Sequence, residues 1–329
     1  MRFLNIVRIL ALQGLYTGGE NMNQVKVIES NPLQVQSDLQ NLIEDFISSL
    51  DIAMASKVTY RRAINQFTYW LSSLGIANPE RKTILEYKNH LKEKELSPYT
   101  GTFYLVAVRK FFQYLEVNKL YPDITKGIKG FKRPKNYSKD GLAISQVKDL
   151  LASIDTSILK GKRDYAMINL MIRTGLRDIE VSRADIGDMR TEQGAMVLWI
   201  HGKGRESKDE FVILTPETEK PIREYLKARG SSQDNEPLFS STSNRQKGQR
   251  MTTRSISRIV KECLKSIGIN NKRITSHSLR HTFGITALAN GASVVQVKEA
   301  MRHRSIETTM VYVRTMDRVA NGAEKYISF

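Results

Sequence analysis

Residues 126–139, KGIKGFKRPKNYSK, cannot continue any regular element. Gly127 and Gly130 carry a large entropic cost in a helix or strand, and Pro134 removes a backbone donor. The chain therefore reads as two packed bodies joined by this segment, which suits 329 residues at roughly 150 per domain. The segment holds Lys126, Lys129, Lys132, Arg133, Lys135 and Lys139 and no acid, a composition suited to lying along phosphates. The expected organisation is an extension over 1–35, a first domain over 36–125, a basic linker over 126–140 and a second domain over 141–329.

The first domain reads as helical. Tyr60, Ile64, Phe67, Trp70, Leu71 and Leu74 recur at three- and four-residue steps, one face of a helix. Lys57, Arg61 and Arg62 fall on the other face. A second helix starts with Ser97 as N-cap and Pro98 at the first helical position. Its apolar face carries Val108, Phe111, Phe112 and Leu115, beside Arg109 and Lys110.

The second domain is expected to be mostly helical. AISQVKDLLASI and KRDYAMINLMIRTGL have helical periodicity, and TTRSISRIVKECLKSIGI is a basic helix. MVLWI and EFVIL, flanking a Gly/Ser/Lys turn, predict an antiparallel hairpin.

Lys and Arg number 51 against 34 acids, a net charge of +17. That excess points to a polyanionic partner. No run of about 18 apolar residues suggests a membrane span, and Arg8 interrupts the apolar N-terminus. The single cysteine, Cys263, cannot form an internal disulfide, which fits the cytoplasm. Gly18-Gly19-Glu20 can be encoded by a purine-rich ribosome-binding sequence ahead of Met22. Translation is therefore expected to start at Met22, and an intact mass that includes residues 1–21 contradicts this.

Five histidines occur in the chain, and two of them, His277 and His281, lie in SHSLRHTF. No paired C-x-x-C, H-E-x-x-H, EF-hand loop, phosphate-binding loop or G-x-S-x-G elbow accompanies them. What remains is a set of cations, imidazoles and a tyrosine. Paired arginines can replace a metal ion on a phosphodiester through their fork geometry, a lysine or imidazole can move protons, and a phenol can be the nucleophile.

TGLRDIEV (174–181), GKG (202–204), HSLRH (277–281) and RHRSIETTMVYV (302–313) resemble, in order and spacing, the motifs of the tyrosine recombinases, the phage-integrase and Xer-like family. The resemblance extends over residues 36–329. It implies a mainly α fold, with a helical SAM-like core-binding domain followed by a mostly helical catalytic domain with a small antiparallel β-sheet. It also implies strand cutting and rejoining through a 3′-phosphotyrosyl intermediate and a Holliday junction, with no metal or other cofactor.

By the same resemblance Arg177 and Arg280 clamp the scissile phosphate and Lys203 protonates the leaving 5′-oxygen, with Lys208 of the same hairpin as the alternative. His277 helps handle the phenolic proton, His303 hydrogen-bonds the phosphate and Tyr312 attacks. Glu180 buttresses the site, and His281 is expected to be structural. The chain departs from the family's Leu-Gly-His at Met301-Arg302-His303, where Arg302 replaces a glycine.

The expected partners are double-stranded recombination sites, three further copies in a homotetramer exchanging the C-terminal segment DRVANGAEKYISF, and an accessory protein or second recombinase. Lys57, Arg61, Arg62, Arg109, Lys110, Lys132, Arg133, Lys135, Arg254 and Arg258, with Lys261, are the expected groove or phosphate contacts. The resemblance is compatible with integration and excision of a mobile element or with Xer-like resolution. A type IB topoisomerase-like enzyme and a non-cleaving DNA-binding regulator are the competing functions.

Overall fold

The computed structural model describes residues 32–76, 78–132, 140–202, 207–230, 233–320, 325 and 327. The chain divides into two compact units between residues 135 and 136.

The first unit contains α1 (Pro32–Ser49), α2 (Met54–Ser73), α3 (Arg81–Glu93) and α4 (Pro98–Val117). The apolar positions of α2 and α4 converge with those of α1 and α3. Phe67 sits at the centre, 4.8 Å edge-on to Tyr87 and 6.1 Å from Phe112, while Phe46 meets Phe111 at 5.2 Å. Offset and edge-on ring pairs add stability beyond buried area. Ser97 caps α4 by accepting from the Thr100 amide at 3.1 Å. Phe67 is buried, so Phe67→Ala should destabilise this unit by about 3–5 kcal/mol, read as a lowered denaturation midpoint of the full chain.

The start of the basic segment is pinned to this unit. Arg81 donates to the Lys126 carbonyl, Lys88 to Lys129 at 2.9 Å and Arg109 to Ile128 at 2.5 Å. Phe131 lies where a side chain on Gly101 would be, so that glycine permits the contact. Residues 133–139 lie outside the described residues, as do residues 1–31 of the expected N-terminal extension.

The second unit contains α5 (Ile144–Ala152), α6 (Leu159–Thr174), α7 (Asp178–Arg183), β1 (Met189–Glu192), β2 (Ala195–His201), β3 (Lys208–Ile213), α8 (Pro216–Arg229), α9 (Thr253–Ser266), α10 (Ser276–Ala289), α11 (Val294–Ala300) and α12 (Ile306–Ala320). The expected hairpin is β2–β3. The sheet is antiparallel in the order β1-β2-β3, with Met189 opposite Leu198 and Leu198 opposite Val212. α6 is buried almost all round, from Ala166 through Ile172, as expected of a helix at the centre of a domain. It packs on α8 and α10. The fold is mainly α with a small antiparallel sheet, as the sequence patterns and the family resemblance predict.

Pro221 lies inside α8 and cannot donate to the carbonyl of Glu217 one turn back. Asn169 on α6 fills that vacancy, its side-chain amide donating to Glu217 O at 2.8 Å. A buried polar side chain thereby ties the proline-containing helix to the central one.

Candidate active site

Four segments of the second unit converge. The first is the junction of α6 and α7. Gly175 ends α6 in the left-handed region, φ +64°, where glycine is favoured. Arg177 then caps α7. Its backbone amide donates to Glu180 Oε2 at 2.7 Å and its guanidinium to Glu180 Oε1 at 2.7 Å. The Glu180 carboxylate thus fixes both ends of Arg177. Burial alone would push the Glu180 carboxyl up, but Arg302 and Arg177 outweigh this and hold it below the usual range.

The second segment is α10, which carries His277, Arg280 and His281. Arg280 is buried, donating to Gly175 O at 2.6 Å and to Met301 O. Burial and the neighbouring Arg177 and Arg302 charges push its guanidinium down to about 9, which leaves it charged at neutral pH. α10 is anchored through Asp178 of α7, whose carboxylate accepts from Ser276 at 2.8 Å and from Ser257 of α9.

The third segment follows α11. His303 N donates to Lys298 O at 3.0 Å and Arg302 N to Glu299 O at 2.8 Å. These are the paired bonds that close a helix with one left-handed residue. That residue is Arg302, φ +54°. Its guanidinium turns inward to Glu180, with Nη2 2.8 Å from Oε2 and Nε 3.4 Å from Oε1. The carbonyls of Met301 and Arg302 accept from Arg280 and Arg177 respectively.

The fourth is α12, which brings Tyr312. Its side chain is buried, and its hydroxyl is 2.6 Å from His281 Nδ1. Its ring stacks on His303 with centroids 6.4 Å apart. A side chain on Gly284 would come within 3.2 Å of the Tyr312 ring and 2.8 Å of Met301 Sδ, so this glycine permits the approach of α10. His303 is held through Nδ1 by Thr309 at 2.9 Å. Burial, together with the cations beside each ring, pushes His281 and His303 down to about 4. Both imidazoles are therefore neutral at pH 7, and both can act as proton acceptors.

Arg177, Arg280, His303 and Tyr312 are thus brought together, with Glu180 behind them. His277, in the first turn of α10, is exposed, its ring 4.9 Å from that of His281. Lys203 lies outside the described residues. Lys208 is held by Asp185 at 2.9 Å and by Asp188 at 2.7 Å. His281, expected to be structural, is the imidazole that meets the phenol. Its spacing of four from His277 places both on one helix face, the only sequence signal for that role. Among the described residues no group of three or more His, Cys, Asp or Glu side chains converges as a metal site.

Of the expected DNA contacts, Arg62, Lys110, Lys132, Arg254 and Arg258 are exposed. Others are engaged within the protein: Arg61 with Glu44 at 2.5 Å, Lys57 with Ser48 O at 3.2 Å, Arg109 with Ile128 O and Lys261 with Asn271 O at 2.7 Å. Arg133 and Lys135 lie outside the described residues.

Because His281 and His303 have folded-state values below the unfolded value of 6.5, folding excludes their protons. Their contribution to stability is complete above about pH 6.5 and is lost as pH falls toward about 4. The thermal midpoint should fall between pH 7 and pH 5, and His281→Gln should flatten that fall. An unchanged slope in the variant contradicts the assignment.

Comparison with known proteins matches residues 141–318 to the model described as the phage integrase family, and residues 39–119 to the phage integrase N-terminal SAM-like domain. The tyrosine recombinase XerD of Listeria innocua is 29% identical over 288 residues, covering 83% of this chain and 94% of that protein. XerD of Vibrio cholerae is 27% identical over 288 residues, covering 83% and 91%. The crystal structure of the XerH site-specific recombinase bound to palindromic difH substrate, a post-cleavage complex, aligns with TM-score 0.65 at 21% identity, covering 98% of this chain and 96% of that one. A lambda integrase dimer bound to a COC′ core site aligns with TM-score 0.67 at 13% identity, covering 84% and 94%, which is a likeness of fold. Matched by the family model over more than half its length, with a second model on its N-terminal helices, the chain belongs to the phage integrase family, the tyrosine recombinases.

Proposed function

We propose that the protein is a site-specific DNA recombinase that cuts and rejoins strands through a covalent link to Tyr312. It would serve integration and excision of a mobile element or Xer-like resolution. The observation that carries this reading is the Tyr312 hydroxyl on a neutral imidazole, beside the paired guanidinium groups of Arg177 and Arg280.

In this reading Arg177 and Arg280 hold the non-bridging oxygens of the scissile phosphate. Each has five N–H donors and spends only part of them on carbonyls and Glu180, so donors remain for the phosphate. The Tyr312 oxygen attacks phosphorus and its proton passes to His281, the nearest acceptor, with His277 next along the same face. The bond from phosphorus to the 5′-oxygen breaks as the Tyr312 link forms, and Lys203 protonates the leaving oxygen. His303 donates to the phosphate in the transition state. The phosphotyrosyl bond conserves the phosphodiester for rejoining, so no nucleotide is consumed.

The first unit serves as the core-binding domain, and its exposed cations, with those of α9, contact DNA. Four copies join two sites through exchange of the C-terminal segment, passing through a Holliday junction, with an accessory protein or second recombinase as a further partner. The reading places the protein in the cytoplasm with the DNA. No described helix is long and apolar enough to cross a membrane.

Because the two arginines neutralise the phosphate charge that a metal would otherwise neutralise, strand cleavage should persist at full rate in EDTA. Nicked duplexes drawn from DNA flanking the gene, resolved on a denaturing gel, test this. Strict dependence of the cleavage step on Mg²⁺ contradicts the mechanism.

A further inference from the structure

Arg302 is a non-glycine residue in the left-handed region at the end of α11, where the backbone geometry favours glycine by about 1 kcal/mol or more. A residue kept in such a conformation points to a compensating role. The compensation is visible. The guanidinium is almost fully buried, 4% exposed, against a Glu180 carboxylate that is 0% exposed. Nη1 donates to Ala300 O at 2.5 Å, while Nε and Nη2 face Glu180. Each nitrogen of the group has a partner within the protein.

Glu180 also holds Arg177. A buried carboxylate paired with Arg177 alone would cancel much of the charge that Arg177 offers to a phosphodiester. With Arg302 on the second oxygen, two guanidinium groups pair with one carboxylate, and Arg280, held by the Gly175 and Met301 carbonyls, adds a third positive charge to the site. The difference, three minus one, leaves two positive charges for the phosphate. The same turn supplies the Met301 and Arg302 carbonyls that orient Arg280 and Arg177.

Resting on the function proposed above, we infer that Arg302 is a positioning residue: it neutralises Glu180 from behind, so that Arg177 keeps its charge and its aim for the scissile phosphate. Removing it should weaken the transition state, in which charge on the phosphate is greatest, more than ground-state DNA binding.

The test uses the full chain and nicked duplexes tiled from DNA flanking the gene, with mobility shift for binding and covalent-adduct formation for cleavage. Arg302→Gly should bind DNA within about twofold of the parent and form adduct about tenfold more slowly, the coupling expected of residues in one charged network. Arg302→Lys should recover most of the rate. In a Glu180→Gln background the Arg302→Gly effect should largely vanish, because the charge it offsets is gone. If Arg302→Gly does not fold, Arg302→Gln compared with Arg302→Lys carries the same contrast. A parental adduct rate in the charge-removed variant overturns the inference, and so does an equal loss in both Glu180 backgrounds. A parent that forms no Tyr312-dependent adduct on any duplex instead overturns the functional reading beneath it.

Discussion

Tyr312→Phe should abolish strand cleavage while DNA binding is retained. The substitution removes one oxygen from a ring that is buried and stacked on His303, so packing is preserved. The lost hydroxyl leaves His281 Nδ1 without its 2.6 Å partner. Losing a buried hydrogen bond of this kind costs about 1–3 kcal/mol, which a folded domain of this size tolerates. The phenol oxygen is the nucleophile of the proposed step, so the residual rate should be that of the uncatalysed reaction. A mobility shift at parental affinity, with no protein–DNA band surviving denaturant, is the expected pair of results. Retained cleavage removes Tyr312 as the nucleophile.

Arg280→Ala is the second large effect. The Arg280 guanidinium crosses the site from α10 to the Gly175 and Met301 carbonyls. The substitution therefore removes the proposed phosphate donor and leaves the Gly175 and Met301 carbonyls without that guanidinium. Loss of an arginine that stabilises a phosphoryl transition state costs on the order of 10³-fold or more. Arg280→Lys keeps the charge but replaces a planar fork with a point donor, which cannot span both carbonyls and still face a phosphate. Its adduct rate should stay well below one tenth of the parent. Binding in both variants should weaken far less than cleavage. Equal losses in binding and cleavage would place Arg280 in recognition rather than in transition-state stabilisation.

Much of this arrangement is legible in residue patterns, and the exceptions have physical reasons. Ser97-Pro98 marks the start of α4 because capping is local chemistry. MVLWI and EFVIL mark β2 and β3 because both are apolar runs around a turn. β1, Met-Arg-Thr-Glu, has one apolar residue and is a strand only because β2 offers it a pairing edge. Pro221 argues against a helix where α8 runs, and Asn169, 52 positions away, makes the helix possible. Arg177, Arg280, His303 and Tyr312 stand out by spacing and resemblance, and the fold gathers them. His281 meets the phenol through a tertiary contact between α10 and α12, which no local pattern encodes. The glycine missing at 302 is visible in the sequence, but its replacement's buried partner, Glu180, lies 122 residues earlier.

The most direct measurement is the identity of the residue that carries the DNA. The protein would be trapped on a nicked site, digested with nuclease and trypsin, and the nucleotide-bearing peptide sequenced by mass spectrometry. The account predicts a nucleotide on the phenol of Tyr312 within the peptide 305–314, SIETTMVYVR. A nucleotide on any other residue, or a cleaved site whose strand ends are both free of protein, would contradict it.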